Sequence, residues 1–174
     1  MHVPLMAAIA APALPIRLNN FESQNVSNIA WSLAALGFRD TPIMHSIAAP
    51  AMNKISAFST QQLANTVWAF ATLLLQHVPL LAAISASAMR LMDSSSVQDL
   101  STTAWSFAIL LVGDLPFLYA ISAAASPRLS EMLPQNLANV TRTYWSVAIA
   151  GEALFNGGGY ERFSRLHRLG AQDI

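Results

Sequence analysis

The chain has 174 residues, 54% of them hydrophobic and only 10% charged, and its nine basic residues are balanced by nine acidic ones. That length suits one ordinary domain or a few units of a repeat array with ample apolar surface to bury, while zero net charge sets the chain apart from most nucleic-acid binders, which carry a basic excess. The lack of cysteine excludes disulfides and thiolate metal sites. The longest apolar run, "AWSFAILLVG", falls well short of the roughly 20 residues that cross a bilayer, so no membrane association is expected.

The opening "MHVPLMAAIAAPALPIRL" has the look of a presequence. However, Pro4, Ile9, Pro12 and Leu14 match Pro42, Ile47, Pro50 and Met52 at a constant offset. It therefore reads as the first helix of a repeat, with any targeting peptide outside the chain. Next, "FESQNVSNIAWSL" from Phe21 introduces a phrase that returns as "FSTQQLANTVWAF" from Phe58, "SSVQDLSTTAWSF" from Ser95 and "MLPQNLANVTRTYWSV" from Met132. Its glutamines, Gln24, Gln61, Gln98 and Gln135, stand in steps of 37 residues. Self-similarity at such a period is the signature of stacked units.

Each unit reads as two helices. The first opens at a proline, Pro42, Pro79 or Pro116, a residue suited to a first helical turn because its missing N–H costs nothing there. Behind Pro42, the residues Ile43, Ile47, Ala51 and Ile55, with Met44, Ala48 and Met52 beside them, form an apolar stripe. Pro50 within that stripe predicts a kink or an early break. The second helix starts with Ser59 as N-cap and Gln62 three residues on, the spacing of a capping box. Ser96 with Asp99 repeats the arrangement, and Pro134 takes the first helical position of the fourth unit. Leu63, Val67, Phe70 and Leu74 are the expected buried face. Trp31, Trp68 and Trp105 keep the period and are expected to wedge between adjacent hairpins. Trp145 comes three residues late, nearly one turn, so the last unit is distorted. Past Gly151 the pattern fades into the glycine run and basic residues of "NGGGYERFSRLHRLGAQDI". The expected organisation is a helical-hairpin array of about four units over 1–151, followed at 152–174 by a divergent basic segment or the start of a further repeat. The expected fold is all-α, a right-handed α-solenoid with a 37-residue repeat.

The signature "F-S/T-x-Q-x-L-A-N-x-x-W-A/S-x-A", best seen in "FSTQQLANTVWAFATL", resembles the octotricopeptide and heptatricopeptide repeats. These are similar to repeats of FAST-kinase-type and RAP-domain organelle proteins and to a domain of kinetoplastid RNA-editing substrate-binding proteins. The unit at Ser95 departs from the pattern, with Ser95 and Thr102 in place of Phe and Asn. The resemblance spans roughly Pro4 to Gly151. It implies a solenoid that binds single-stranded RNA in mitochondria or chloroplasts, in RNA processing, stability or translation, alongside other RNA-processing proteins. No RAP domain is recognisable within these 174 residues.

Three sets of residues are candidates for contact. The Gln/Asn pairs Gln24 and Asn28, Gln61 and Asn65, Gln98 and Thr102, and Gln135 and Asn139 stand four apart and share a helix face. They either hydrogen-bond RNA or form a structural ladder between hairpins, and their sameness from unit to unit favours the ladder, since identical residues cannot tell bases apart. Reading a base per unit needs positions that change. On the first helix His45 gives way to Ala82 and Tyr119, and Asn53 to Arg90 and Pro127. His45 and Tyr119 could stack on bases and Asn53 and Arg90 could touch base edges or phosphates, or this is a freely drifting solvated surface. Finally Arg17, Lys54, Arg128 and Arg165 share the 37-residue grid, with Arg90 beside Leu91 in the third unit. Stacked hairpins would align these into a stripe along a phosphate backbone, although cations at helix C-termini have the same placement for macrodipole reasons alone. His2, His45, His77 and His167 lack metal-ligand spacing, and no nucleophile elbow or phosphate-binding loop is present. No catalysis and no cofactor are expected. The main expectation is RNA binding; the alternative is a protein-binding scaffold with the same solenoid.

Overall fold

A computed structural model of the chain describes residues 20–155 apart from 111 and 113. All regular structure among the described residues is helical: α1 (Ser23–Ala35), α2 (Thr41–Asn53), α3 (Thr60–Thr72), α4 (Val78–Arg90), α5 (Val97–Ile109), α6 (Leu115–Ala125) and α7 (Pro134–Phe155). Short 3₁₀ segments, Ile55–Ala57, Met92–Ser94 and Ser126–Glu131, lead into α3, α5 and α7. The odd-numbered helices α1, α3, α5 and α7 pack side by side in one layer, and α2, α4 and α6 form the second layer against them. This is the contiguous helical array of an α-solenoid. Helices open at Ser23, Thr60, Val97 and Pro134 in the first layer and at Thr41, Val78 and Leu115 in the second, both series in steps of 37.

Local chemistry sets these boundaries. Ser59 Oγ accepts from Gln62 N–H (3.3 Å) while Gln62 Oε1 accepts from Ser59 N–H (3.1 Å), a complete capping box. Ser96 and Asp99 close a second one at 3.0 and 3.3 Å. Pro42, Pro79 and Pro116 each lie in a first helical turn. The residue two before each proline, Asp40, His77 or Asp114, caps the helix by accepting from the amide of Ile43, Leu80 or Phe117. α1 and α3 end alike, with Gly37 (φ +64°) and Leu74 (φ +54°) in the left-handed conformation. Phe38 N–H bonds Leu33 C=O and Leu75 N–H bonds Phe70 C=O, both at 2.9 Å, which takes up otherwise orphaned carbonyls of the last turn.

The core lies between the layers. It contains Ile43, Met44, Ile47, Ala48 and Ala51 of α2, Leu63, Val67 and Phe70 of α3, Leu80, Leu81 and Ile84 of α4, and Phe107 against Phe117 with ring centroids 4.7 Å apart. The expected stripes of α2 and α3 are thus buried except for half-buried Met52 and Ile55, the latter beyond the end of α2, and with two corrections. α2 carries through Pro50 to Asn53, so that proline, which is buried, does not end the helix early. Leu74 is 52% exposed and Leu75 takes the buried place, because the left-handed residue turns the chain before the helical period reaches position 74. Small side chains such as Ser27, Ala30, Ala34, Ala64, Ser101 and Ala104 are also buried, which lets the first-layer helices approach closely. α7 is longer than its counterparts and passes through Gly151, where the sequence pattern fades.

Candidate nucleic-acid interface

The second-layer helices all end at one corner, where the 3₁₀ segments carry the chain into the first layer. Lys54 is the half-buried C-cap of α2, Arg90 the last residue of α4, and Arg128 sits in the segment after α6. Arg128 Nη1 donates to the Ser95 carbonyl at 2.7 Å, so the α6 end abuts the α4 end and the corners of successive units are neighbours. Arg17 and Arg165 lie outside the described residues. The three described cations are not equivalent. Arg128 also pairs with Glu131 at 3.2 Å and is committed to the fold, while exposed Arg90 donates to Ser87 Oγ at 2.7 Å. Glu22, Asp93, Asp99 and Glu131 belong to the same corner, at the starts of first-layer helices or in the segments before them. The corner is therefore mixed in charge.

The changing positions are exposed as a base reader requires. Tyr119 is 64% exposed on α6. Asn53 is exposed at the end of α2. His45 is exposed but not free, since its ring meets that of His77 edge-on with centroids 5.2 Å apart. His77 in turn packs near Phe70 (6.5 Å) and uses Nδ1 to accept from Leu80 N–H (3.2 Å). Burial lowers the His77 pKa most and the His45 imidazole lowers it further, against a smaller opposing effect of its backbone hydrogen bond. His77 is thereby held neutral, as its acceptor role requires.

A ladder between first-layer helices exists, built by other residues than the four glutamines. Ser27 Oγ donates to Gln62 C=O (3.1 Å), Thr60 Oγ1 to Asp99 Oδ2 (2.9 Å), and Asn136 Nδ2 to Ser101 Oγ (2.9 Å), while Asn136 Oδ1 also accepts from Leu133 N–H (3.1 Å). Asp99 and Asn136 each follow a repeating glutamine, Gln98 or Gln135, by one residue, a rotation of about 100° that takes their side chains from solvent to the seam, whereas Gln62 after Gln61 lends the seam its carbonyl and keeps its side chain for the cap. The sequence signal was available in their own 37-residue spacing, as it was for Asp40, His77 and Asp114.

The tryptophans lie between adjacent hairpins only in part, with Trp68 and Trp105 packed against the edge of the core. Trp31 is 45% and Trp145 59% exposed; Trp68 and Trp105 are half-buried. Trp31 and Trp68 stack on each other, ring centroids 6.2 Å apart and planes inclined by 29°. Each helix thus presents one outer face of Gln, Asn or Thr, and Trp at i, i+4 and i+7: Gln24, Asn28 and Trp31 on α1; Gln61, Asn65 and Trp68 on α3; Gln98, Thr102 and Trp105 on α5. On α7, Gln135 bonds its own Asn139 (3.3 Å) and Arg142 occupies the tryptophan step.

Among the described residues, no three His, Asp or Glu side chains converge as a metal site would need, and no helix is long and apolar enough to cross a membrane. A comparison with curated proteins finds no match. The family model of the RNA-editing substrate-binding complex 6 protein matches residues 3–156. The match extends over most of the chain and coincides with the helical array, and the protein belongs to the RNA-editing substrate-binding complex 6 protein family.

Proposed function

We propose that this chain is a single-stranded-RNA-binding α-solenoid of a mitochondrial RNA-editing complex, acting without catalysis or cofactor and alongside other proteins of that complex. The observation that carries the reading is the family match over the array. Exposed Asn53 and Tyr119, with Lys54 and Arg90 at neighbouring corners, supply groups of the required chemistry. The match falls on the RNA-editing relatives among the resemblances named above; nothing in it favours a chloroplast.

Charge calibrates the interface. Phosphate contacts set affinity and its salt dependence, each contributing about 0.7 of log–log slope on single strands. Arg128 is tied to Glu131 and Ser95, and Lys54 and Arg90 are the two cations of this corner taken as the phosphate contacts. Replacing both with Gln should weaken all single-stranded RNAs alike and lower the slope by about 1.4. Tyr119→Ala should cost about 1–3 kcal/mol if a base stacks there. Anisotropy titrations of labelled RNA at low and moderate salt measure both, and a folded parent that binds no RNA at low salt sinks the proposal. The balance of acids and bases at the corner specifically favours a second reading, a scaffold whose ligand is another protein of the complex.

A further inference from the structure

The outer face of the first layer is busy in sequence and idle in structure. On α3, Gln61, Asn65 and Trp68 lie on one exposed to half-exposed face, yet among the described residues none of these side chains makes a hydrogen bond; the cap uses the Gln62 side chain, and the Gln62 carbonyl accepts from Ser27 across the seam and from Thr66 within the helix. The same holds one helix to either side, where Trp31 and Trp105 repeat the indole. A protein that only needed to fold has no use for large indoles half in water, since burying them would gain the hydrophobic energy they forgo.

We propose that this face is a base-binding platform for single-stranded RNA, with the indoles as stacking surfaces and the carboxamides of Gln61 and Asn65 and their counterparts as hydrogen-bond partners for base edges. It rests on the RNA reading given above and adds the outer face of the first layer as a further surface for bases beside that of Tyr119 on the second. Three observations select this occupant. The groups recur once per helix, which fits a polymer that offers one π-face per residue; a folded protein surface offers no such repetition. Stacking and carboxamide pairing are the means by which unpaired bases are held. The described faces of α1, α3 and α5 carry no formal charge along these steps, so a strand docks bases inward with its phosphates toward solvent. Because the steps are nearly identical, the platform holds bases without reading a mixed sequence.

The test uses the full chain and short labelled homopolymeric oligoribonucleotides of each base. Trp31→Ala should stay folded with only a modest fall in melting temperature, because the side chain is nearly half exposed and loses its stack on Trp68, and should weaken binding by about five- to 150-fold, the range of one base–aromatic stack. Trp31→Phe should restore most of the affinity. Gln61→Ala with Asn65→Ala should weaken binding with the salt slope unchanged, whereas Lys54→Gln with Arg90→Gln should change that slope. If the parent binds RNA and the Trp31 and Gln61/Asn65 variants bind it equally well, the platform is overturned while the RNA reading stands. If these variants keep RNA affinity but lose cross-links to a neighbouring protein in the assembled complex, the face is a protein contact and the inference is wrong. A folded parent that binds no RNA at any salt overturns both.

Discussion

Leu74 holds φ at +54°, a conformation that costs an L-residue about 1–2 kcal/mol and that Gly37 adopts freely at the end of α1. Its side chain is half exposed, so little packing offsets the strain. Leu74→Gly should therefore stabilise the protein by about 0.5–1 kcal/mol after the added freedom of the unfolded chain is subtracted, seen as a higher midpoint in urea. Two neighbours on α3 make the opposite contrast. Phe70 is fully buried and Phe70→Ala should cost about 3–5 kcal/mol. Trp68, half-buried and stacked on Trp31, should cost only about 1–2 kcal/mol as alanine, despite being the larger side chain. Equal costs for the two would contradict the placement of the indoles. Arg128→Ala should lower stability by about 1 kcal/mol, because its ties to the Ser95 carbonyl and Glu131 lie half in solvent.

At the scale of the helix, the N-cap of α4 separates it from α2 and α6. Asp40 and Asp114 accept the capping bond as carboxylates, whereas His77 accepts it through a neutral ring nitrogen. Its pKa is lowered in the fold, so the unfolded chain binds the proton more readily than the native one. Stability from this group is then full above the ordinary histidine value of 6.5 and is lost as pH falls below it toward the depressed folded value. His77→Asp should abolish that loss. Melting curves at about pH 7.5 and about pH 5 should show a drop in the parent that is much smaller in the variant. Asn136→Ala should cost about 1–3 kcal/mol, since it orphans a buried seam bond and a cap together. The local signals of this scale were legible in the sequence: two capping boxes, the prolines of the second layer, and the apolar stripes of α2 and α3. What remained illegible needed neighbours. Gln98 and Asp99 are both polar and adjacent, and only the approach of α3 decides which faces the seam. The indole of Trp68 and the ring of Phe70 are two residues apart, about 160° around the helix, with the smaller one inward. Phe70 is buried, as its place in the apolar stripe predicts, whereas the half-exposed place of the indole was not legible, because the seam between first-layer helices accepts only small groups. For the candidate interface, the exposure of Asn53 and Tyr119 was foreseeable. The engagement of Arg128 by Glu131 and Ser95 was not, because Ser95 lies 33 residues away.

Among the described residues of the whole molecule, the helices pack mainly on helices close to them in sequence, along one continuous core that runs through the array. Removing everything from Asp114 onward should leave α1–α4 helical and weaken α5, whose Phe107 loses Phe117; circular dichroism per residue should stay near the parental value while the melting temperature falls. The seam also has a consequence for how such a chain can change length. Both helix series advance by the same number of residues, and Ser59 and Ser96 stand before helices that begin with interchangeable caps. Excising 60–96 would join Ser59 to Val97, with Asp99 completing the capping box at the new junction. The outcome should be a shorter protein that folds cooperatively with every surviving side chain on its former face. Cutting one residue more or fewer would rotate the helix by about 100° and send its seam into water, so length here is quantised: the chain can gain or lose whole pages, but not single letters.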